Sequence, residues 1–141
     1  MKRNLIGILS LVVMSVLLNA TVHAQTISKA NVPFAFKVGS AQLPAGTYEI
    51  TAASDSAVAI HNRQSRVGAL SMVRKEYPSN SSAKLIFHRL GDQYFLAEIW
   101  RGGGNGGMVL PPSKQEKALQ KELALAGGQS NTGDNVVVAL Y

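Results

Sequence analysis

Residues 84–100, KLIFHRLGDQYFLAEIW, constrain the fold more than any other segment of the chain. The central Gly-Asp pair is typical of a two-residue β-turn, and such a turn fixes which residues of its two strands face each other. That register places His88 opposite Phe95 and Leu85 opposite Glu98. Both faces of the predicted hairpin are then largely apolar. We therefore expect a core on one face and a second covering element on the other.

Residues 113–126, SKQEKALQKELALA, predict one helix and provide the candidate covering element. Ser113 followed by Glu116 forms a capping-box pattern, and strong helix formers follow it. The apolar side chains of the predicted helix fall on one stripe, at Leu119, Leu123 and Ala126. We expect this stripe to pack on the hairpin.

Short alternating segments elsewhere predict further strands. Residues 32–38 place Val32, Phe34, Phe36 and Val38 on one face, and residues 43–50, LPAGTYEI, read as a turn that enters a second strand. Other segments of this kind lie around residues 58–60, 67–73 and 136–141. The fold class predicted is mainly β: a small antiparallel sandwich or barrel of six to seven strands with one C-terminal helix. We expect a single domain at 25–126, followed at 127–141 by a Gly-rich linker and a last strand.

Residues 1–24 have the three-part plan of a signal peptide. Lys2 and Arg3 are followed by an apolar stretch and by small residues at Val22 and Ala24. We expect cleavage before Gln25 and an exported protein, either periplasmic or extracellular. Because the chain has no cysteine, its fold must be stable without disulfides.

The charge of the chain narrows the class of partner. Removing 24 of the 141 residues leaves 117, and the two basic residues that are lost reduce the net charge from +6 to +4. This excess is modest and dispersed, which argues against nucleic acid and favours an envelope polymer or a partner protein. We expect no stable membrane insertion after cleavage.

The sequence contains little that indicates catalysis. Gly102 to Gly107 match G-x-G-x-x-G, but no helix follows at once, so a loop is favoured over a dinucleotide site. His61 and His88 are the only histidines after residue 24, and we expect no metal and no cofactor. We therefore predict a non-enzymatic cell-envelope or secreted module for binding or structure. The alternatives are a small periplasmic hydrolase that uses Glu98 or His88, and a small outer-membrane barrel.

A candidate ligand patch combines aromatic and cationic side chains of the hairpin: Arg89, Tyr94, Trp100 and Arg101. Exposed aromatic rings beside positive charge suit a glycan or an anionic polymer. The competing interpretation, which we favour for Trp100, is that its ring packs beneath the helix.

Two blocks of the chain carry a resemblance to a known group of proteins. PFAFKVG leads into LPAGTY at 33–48, and KLIFHRLGDQYFL at 84–96 leads to a Trp and then to a Pro-Ser-led helix. The chain resembles an uncharacterised family of small exported β-rich proteins of the acidobacterial type. Members often carry G-R-E-L-P before the helix, where this chain has GMVLP at 107–111. The resemblance implies an exported β-domain and assigns no catalytic residue. LPAGTY is also similar to a turn of transthyretin-like sandwich modules.

Overall fold

Two β-sheets and one helix make up the described part of the chain. The computed structural model describes residues 27–77, 82–127 and 134–141, so the predicted signal peptide at 1–24 and most of the predicted linker lie outside the described residues. The strands are β1 (Ile27–Val32), β2 (Phe36–Val38), β3 (Ala41–Leu43), β4 (Gly46–Ser54), β5 (Ala57–Asn62), β6 (Val67–Met72), β7 (Arg74–Glu76), β8 (Lys84–Leu90), β9 (Gln93–Trp100), β10 (Gly107–Val109) and β11 (Asn135–Ala139); the helix is α1 (Lys114–Leu125).

The strands form a four-stranded sheet in the order β1-β4-β5-β6 and a second sheet in the order β11-β8-β9-β10-β7. Strands β2 and β3 pair with each other, and β2 also lies parallel to β9. The remaining pairs are antiparallel. At one edge Lys29 and Tyr141 join the sheets by two backbone hydrogen bonds of 2.9 Å.

The hydrophobic core lies between the two sheets. Alternation places every second residue of each strand inward, and the largest fully buried side chains come from both sheets. They are Tyr48, Phe36, Phe87, Leu43, Leu85, Ile99, Val32 and Val58; Phe95 is also buried but does not belong to this core cluster. This arrangement confirms the predicted fold class, a mainly β antiparallel sandwich-like domain with one helix near its C-terminus. Seven strands have five or more residues, and four have three residues.

The predicted strand at 32–38 is in fact two strands in different sheets. Val32 ends β1 in the four-stranded sheet, whereas Phe36 begins β2 in the other. Pro33 lies between them, and it cannot extend the β1 ladder because it has no N–H. The alternation predicted the inward side chains correctly, since Val32, Phe36 and Val38 are all buried.

The LPAGTY segment is an architectural turn. The Tyr48 side chain is fully buried, and its hydroxyl donates a 2.6 Å hydrogen bond to the Pro44 carbonyl, four residues upstream. A tyrosine that closes back on its own turn in this way is a known device at the corners of β-sandwiches. Burial raises the pKa of the Tyr48 hydroxyl above its usual value, while a hydrogen bond with the Asn62 side chain opposes that rise.

The hairpin register is as predicted near the turn and wrong further away. His88 faces Phe95, but the pairing shifts by one residue beyond Phe87, so Leu85 faces Ile99 and not Glu98. A β-bulge of this kind inserts one extra residue in one strand and turns the side chains that follow. Ile99 consequently points into the core, where it is fully buried.

The helix forms where it was predicted, but its apolar stripe does not cover the hairpin. Leu119 is half-buried, whereas Leu123 is 37% exposed and Ala126 is also exposed. The one buried residue of the helix is Glu116, whose carboxylate meets His88 Nδ1 on β8 at 2.9 Å. Ser113 Oγ accepts from the Glu116 N–H as a capping box requires, whereas the Glu116 carboxylate is engaged by the sheet. The helix is therefore docked by its first turn.

Candidate functional site

The four residues of the predicted ligand patch lie at opposite ends of the β8–β9 hairpin. Arg89 and Tyr94 form a cross-strand pair beside the turn, whereas Trp100 and Arg101 lie at the far end of β9. Trp100 is six residue steps from Tyr94, so at the usual rise of a strand the two pairs are about 20 Å apart. One small ligand group therefore cannot contact both pairs.

At the turn end of the hairpin, the Tyr94 ring packs against the protein core. Its ring stacks on Phe34 with 4.1 Å between the centroids. The Arg89 guanidinium lies 5.8 Å from the centre of the same ring, and its Nε donates to the Gly91 carbonyl at 3.1 Å. Arg89 remains exposed and is the accessible charge at this end.

At the far end, Trp100 is buried, with 7% of its surface exposed. Its indole N–H donates to Glu98 Oε2 at 2.7 Å, and its ring lies against Gly107, where a Cβ atom would sit 2.5 Å from a ring carbon. A glycine at 107 is therefore required by close approach, and the end of the glycine run belongs to β10. The Arg101 Nε is buried and has no hydrogen-bond partner among the described residues.

The two residues proposed for the hydrolase alternative each have a partner. His88 contacts Glu116, which anchors the helix, and Glu98 accepts from Trp100. Within residues 27–77, 82–127 and 134–141, no group of three or more His, Asp or Glu side chains is arranged to hold a metal ion.

A different cluster of ionisable side chains lies on the outer face of the four-stranded sheet. Lys29 on β1, Glu49 on β4 and His61 on β5 are direct cross-strand neighbours and point away from the core. Arg63 follows directly after β5, and Arg66 lies in the turn that leads to β6. We call these five residues the cationic row, because three of them are cations and one is a carboxylate.

Gly68 on β6 is the cross-strand neighbour of His61. A Cβ atom there would lie 3.1 Å from the His61 Nδ1 atom and 2.8 Å from the Ile60 carbonyl oxygen. The missing side chain at Gly68 leaves room for the imidazole of His61, which stays exposed on the surface of the sheet.

Glu49 organises the cationic row. Its Oε2 accepts from the Arg63 Nε at 2.6 Å, and its Oε1 lies 3.5 Å from the Lys29 Nζ. The hydrogen bond from Arg63 is the main reason why the pKa of Glu49 lies below its usual value, with the positive charge of Lys29 as a smaller contribution. The Glu49 side chain is only 17% exposed, whereas those of Lys29 and Arg63 are 50% and 71% exposed. The carboxylate is thus set back beneath two accessible cations.

Two adjoining cavities open on this face. One, of about 260 Å³, is lined by Lys29, Thr47, Glu49, Asn62, Arg63 and Gln64. The other, of about 620 Å³, is lined by Ile27, Glu49, Thr51, Ala59, His61, Arg63 and Arg66. Both cavities include Glu49 and Arg63, so the cationic row lies at their junction.

No motif in the sequence joins Glu49 to His61, Lys29 or Arg63, so the cluster was not predicted. Alternation predicts that they point outward, since Tyr48, Ile50 and Ile60 beside them point inward. What brings them together is the pairing of β1 with β4 and of β4 with β5, which is a property of the sheet order. The β4–β5 hairpin, with its short turn, was the one available signal for part of the row.

Neither a family model, nor a curated protein, nor a solved structure matches this chain. The resemblance drawn from the two sequence blocks therefore stays a prediction. As for a membrane span, the helix of the described residues is too short and too polar to cross a bilayer.

Proposed function

We propose that the protein is an exported, non-enzymatic β-domain of the cell envelope that binds an anionic polymer through the cationic row. The observation that carries this proposal is that Lys29 and Arg63 pair with the recessed carboxylate of Glu49 on an open sheet face, where Arg66 lines the same cavity. Three cations and one carboxylate leave a local net charge of +2. A polyanion could contact these exposed cations without any rearrangement of the core.

Exposed cations favour a polymer over a small ion as the ligand. A single contact between exposed charges contributes only about 0.2–1 kcal/mol, because water screens it. A polymer presents many anionic groups, and one contact raises the effective concentration of the next. Several weak contacts along the row can then add to a useful affinity that falls steeply with salt.

The surroundings of the ionisable side chains support binding without turnover. Catalysis requires an acid, base or nucleophile held in a pocket that excludes water. Glu49 and His61 instead lie on an open face, and His88 and Glu98 have their own partners, Glu116 and Trp100.

The proposed location outside the cytoplasm rests on the signal-peptide pattern of residues 1–24. Intact-mass analysis of protein recovered from the envelope or medium tests it. We expect an N-terminus at Gln25; an exported chain that begins at Met1 would contradict cleavage, and a chain found only in the cytoplasm would contradict the location.

Retention on immobilised polysaccharides tests binding and turnover together. The mature protein is applied to an acidic polymer, polygalacturonate, and to a neutral one, dextran, and is eluted with a salt gradient. We expect retention on polygalacturonate alone, with no new reducing ends released. Reducing ends that appear with wild type and disappear in Glu98→Gln or His88→Ala would replace this proposal with a hydrolase.

A charge-matched pair of variants locates the binding. Arg63→Gln combined with Arg66→Gln removes two cations from the row, whereas Arg74→Gln combined with Arg89→Gln removes two exposed cations elsewhere. We expect the first double variant to elute at clearly lower salt and the second to elute near wild type. Equal shifts in both would mean that only net charge is sensed, and the proposed site would be wrong.

A further inference from the structure

An apolar trough adjoins the cationic row on the same sheet face. Ile27, Thr51, Ala59 and Leu70 are successive cross-strand neighbours on β1, β4, β5 and β6. The two outer positions carry large side chains, with Ile27 48% and Leu70 70% exposed, and the two inner positions carry small ones. Large side chains on the outer strands and small ones between them leave a depression that runs along β4 and β5.

The trough continues away from the charges. Met72, 63% exposed, extends its wall along β6, and its cross-strand neighbour Ala57 extends its floor along β5. From Ala57 to His61 the floor is about 13 Å long at the rise of an antiparallel strand. Such large exposed apolar side chains on one open face are a feature of surfaces that bind ligands or partners.

The trough and the cationic row share one cavity. The cavity of about 620 Å³ is lined at its apolar end by Ile27, Thr51 and Ala59, and at its charged end by Glu49, which is paired with Arg63, and by His61, Arg63 and Arg66. Arg66 has a φ of 56°, a conformation that glycine or asparagine would adopt more readily. The turn therefore does not account for an arginine at this position, whereas a role for its charge would.

We propose that this cavity binds an amphipathic anion: a phosphate or carboxylate contacts Arg63 and Arg66, and its alkyl chain lies over Thr51 and Ala59 beside Leu70. The inference goes beyond the proposed function: it uses the same cations, Arg63 and Arg66, but its ligand is an anion that carries an acyl or alkyl chain. An amphiphile fits both halves of the cavity, whereas a purely polar anion leaves the trough in water. Charge complementarity selects the head group, and burial of the trough selects the chain.

Isothermal titration with a series of alkyl phosphates tests the chain. Inorganic phosphate, butyl phosphate, octyl phosphate and dodecyl phosphate share the anionic group and are used below their micelle-forming concentrations. We expect the affinity to rise with chain length, by up to about fourfold for each methylene that leaves water. Dodecyl phosphate that binds no tighter than butyl phosphate would overturn the inference.

A matched pair of leucine variants locates the chain. Leu70→Ser removes a wall of the trough, and Leu125→Ser removes a leucine of similar exposure, 79%, from the helix. We expect Leu70→Ser to weaken dodecyl phosphate binding about tenfold, and Leu125→Ser to leave it unchanged. Equal effects of the two variants would overturn the inference.

The polygalacturonate column separates this inference from the proposed function. Leu70→Ser should keep its retention on polygalacturonate, because the cationic row is intact. If wild type is retained on polygalacturonate but its affinity for alkyl phosphates does not depend on chain length, the inference is wrong and the proposed function stands. If the affinity for alkyl phosphates rises with chain length but wild type is not retained on polygalacturonate, polymer binding is wrong and amphiphile binding stands. If neither result is obtained, both proposals are wrong.

Vesicle sedimentation distinguishes two sources of the same ligand chemistry. Co-sedimentation with phosphatidylglycerol vesicles, but not with phosphatidylcholine vesicles, would support the inference with a bilayer surface as the source. Binding of monomeric dodecyl phosphate without co-sedimentation would support it with a free amphiphile as the source. Equal co-sedimentation with both lipids, unchanged in Leu70→Ser, would contradict it.

Discussion

Replacing Tyr48 with Phe removes a single hydroxyl from the turn that begins β4. That hydroxyl donates a 2.6 Å hydrogen bond to the Pro44 carbonyl, and the aromatic ring that carries it is fully buried. A hydrogen bond of this kind contributes about 1–1.5 kcal/mol to stability. For a domain of this size, we expect the melting temperature to fall by roughly 4–8 °C.

Tyr94→Phe is the matched control for Tyr48→Phe. Tyr94 is also an aromatic residue packed against the core, with its ring stacked on Phe34, and its hydroxyl forms no hydrogen bond within the part of the chain that the structure describes. Urea unfolding followed by circular dichroism gives the free energy of unfolding of wild type and both variants. If Tyr48→Phe unfolds at the same urea concentration as Tyr94→Phe, the turn hydrogen bond contributes nothing and the reasoning fails.

The same tyrosine gives this comparison a pH dependence with a definite sign. Burial raises the pKa of the Tyr48 hydroxyl above its ordinary value of 10.0, so the folded protein holds this proton more tightly than the unfolded chain does. The resulting stabilisation is complete below the unfolded pKa and is lost as the pH rises through the folded pKa. Tyr48→Phe lacks this group, so we expect the difference in unfolding free energy between wild type and variant to narrow above pH 10. A difference that widens there would contradict the stated cause.

Four further substitutions have outcomes that follow from the structure. Gly107→Ala places a Cβ atom 2.5 Å from the Trp100 ring and should lower the free energy of unfolding by about 1–3 kcal/mol in urea; an unchanged midpoint would mean that the ring can move aside. Leu123→Ala should change that free energy by about 0.5 kcal/mol or less, whereas Glu116→Ala should lower it by roughly 1–3 kcal/mol because it removes the hydrogen bond between the buried Glu116 carboxylate and His88; the reverse order would show that the helix docks by its leucines. Glu49→Gln removes the carboxylate that neutralises two neighbouring cations and should tighten polygalacturonate binding about 2–5-fold by titration; weaker binding would mean that Glu49 is needed to hold those cations in place.

Local sequence signals predicted the parts of the fold that depend on neighbours in the chain. The Gly-Asp turn fixed the pairing of His88 with Phe95, and Ser113 marked the start of the helix. The bulge beyond Phe87 was not predictable in this way, because no glycine or proline marks it. Its position depends on which of the following side chains fits the core, and Ile99 takes that place.

The helix illustrates a second limit. Its apolar stripe predicted burial, yet an amphipathic stripe states only what a helix can bury and not which surface is available to it. On the outer face of the hairpin, the Trp100 ring packs against Gly107 and the Lys37 ammonium lies 5.6 Å from the centre of the Phe95 ring. These contacts occupy apolar surface that the helix was expected to cover.

The candidate site was the least predictable part. Lys29, Glu49 and His61 are far apart in the chain, and each is unremarkable where it stands in the sequence. Their proximity follows from the strand order β1-β4-β5, which is settled by the packing of the inward side chains. The sequence alone favoured the aromatic and cationic side chains of the hairpin as the ligand site, because they are close together in the chain, whereas the polar residues of the cationic row are spread over three strands.

The central claim is that an anionic ligand binds the outer face of the four-stranded sheet, and amide chemical-shift mapping tests it most directly. Short oligomers of polygalacturonate are titrated into ¹⁵N-labelled mature protein, with dextran oligomers as the uncharged control. The account predicts shifts that saturate at Glu49, His61 and Arg63, and little change at Arg89 or at the Trp100 indole. Shifts centred on Arg89 or on the Trp100 indole, with the four-stranded sheet unaffected, would contradict it.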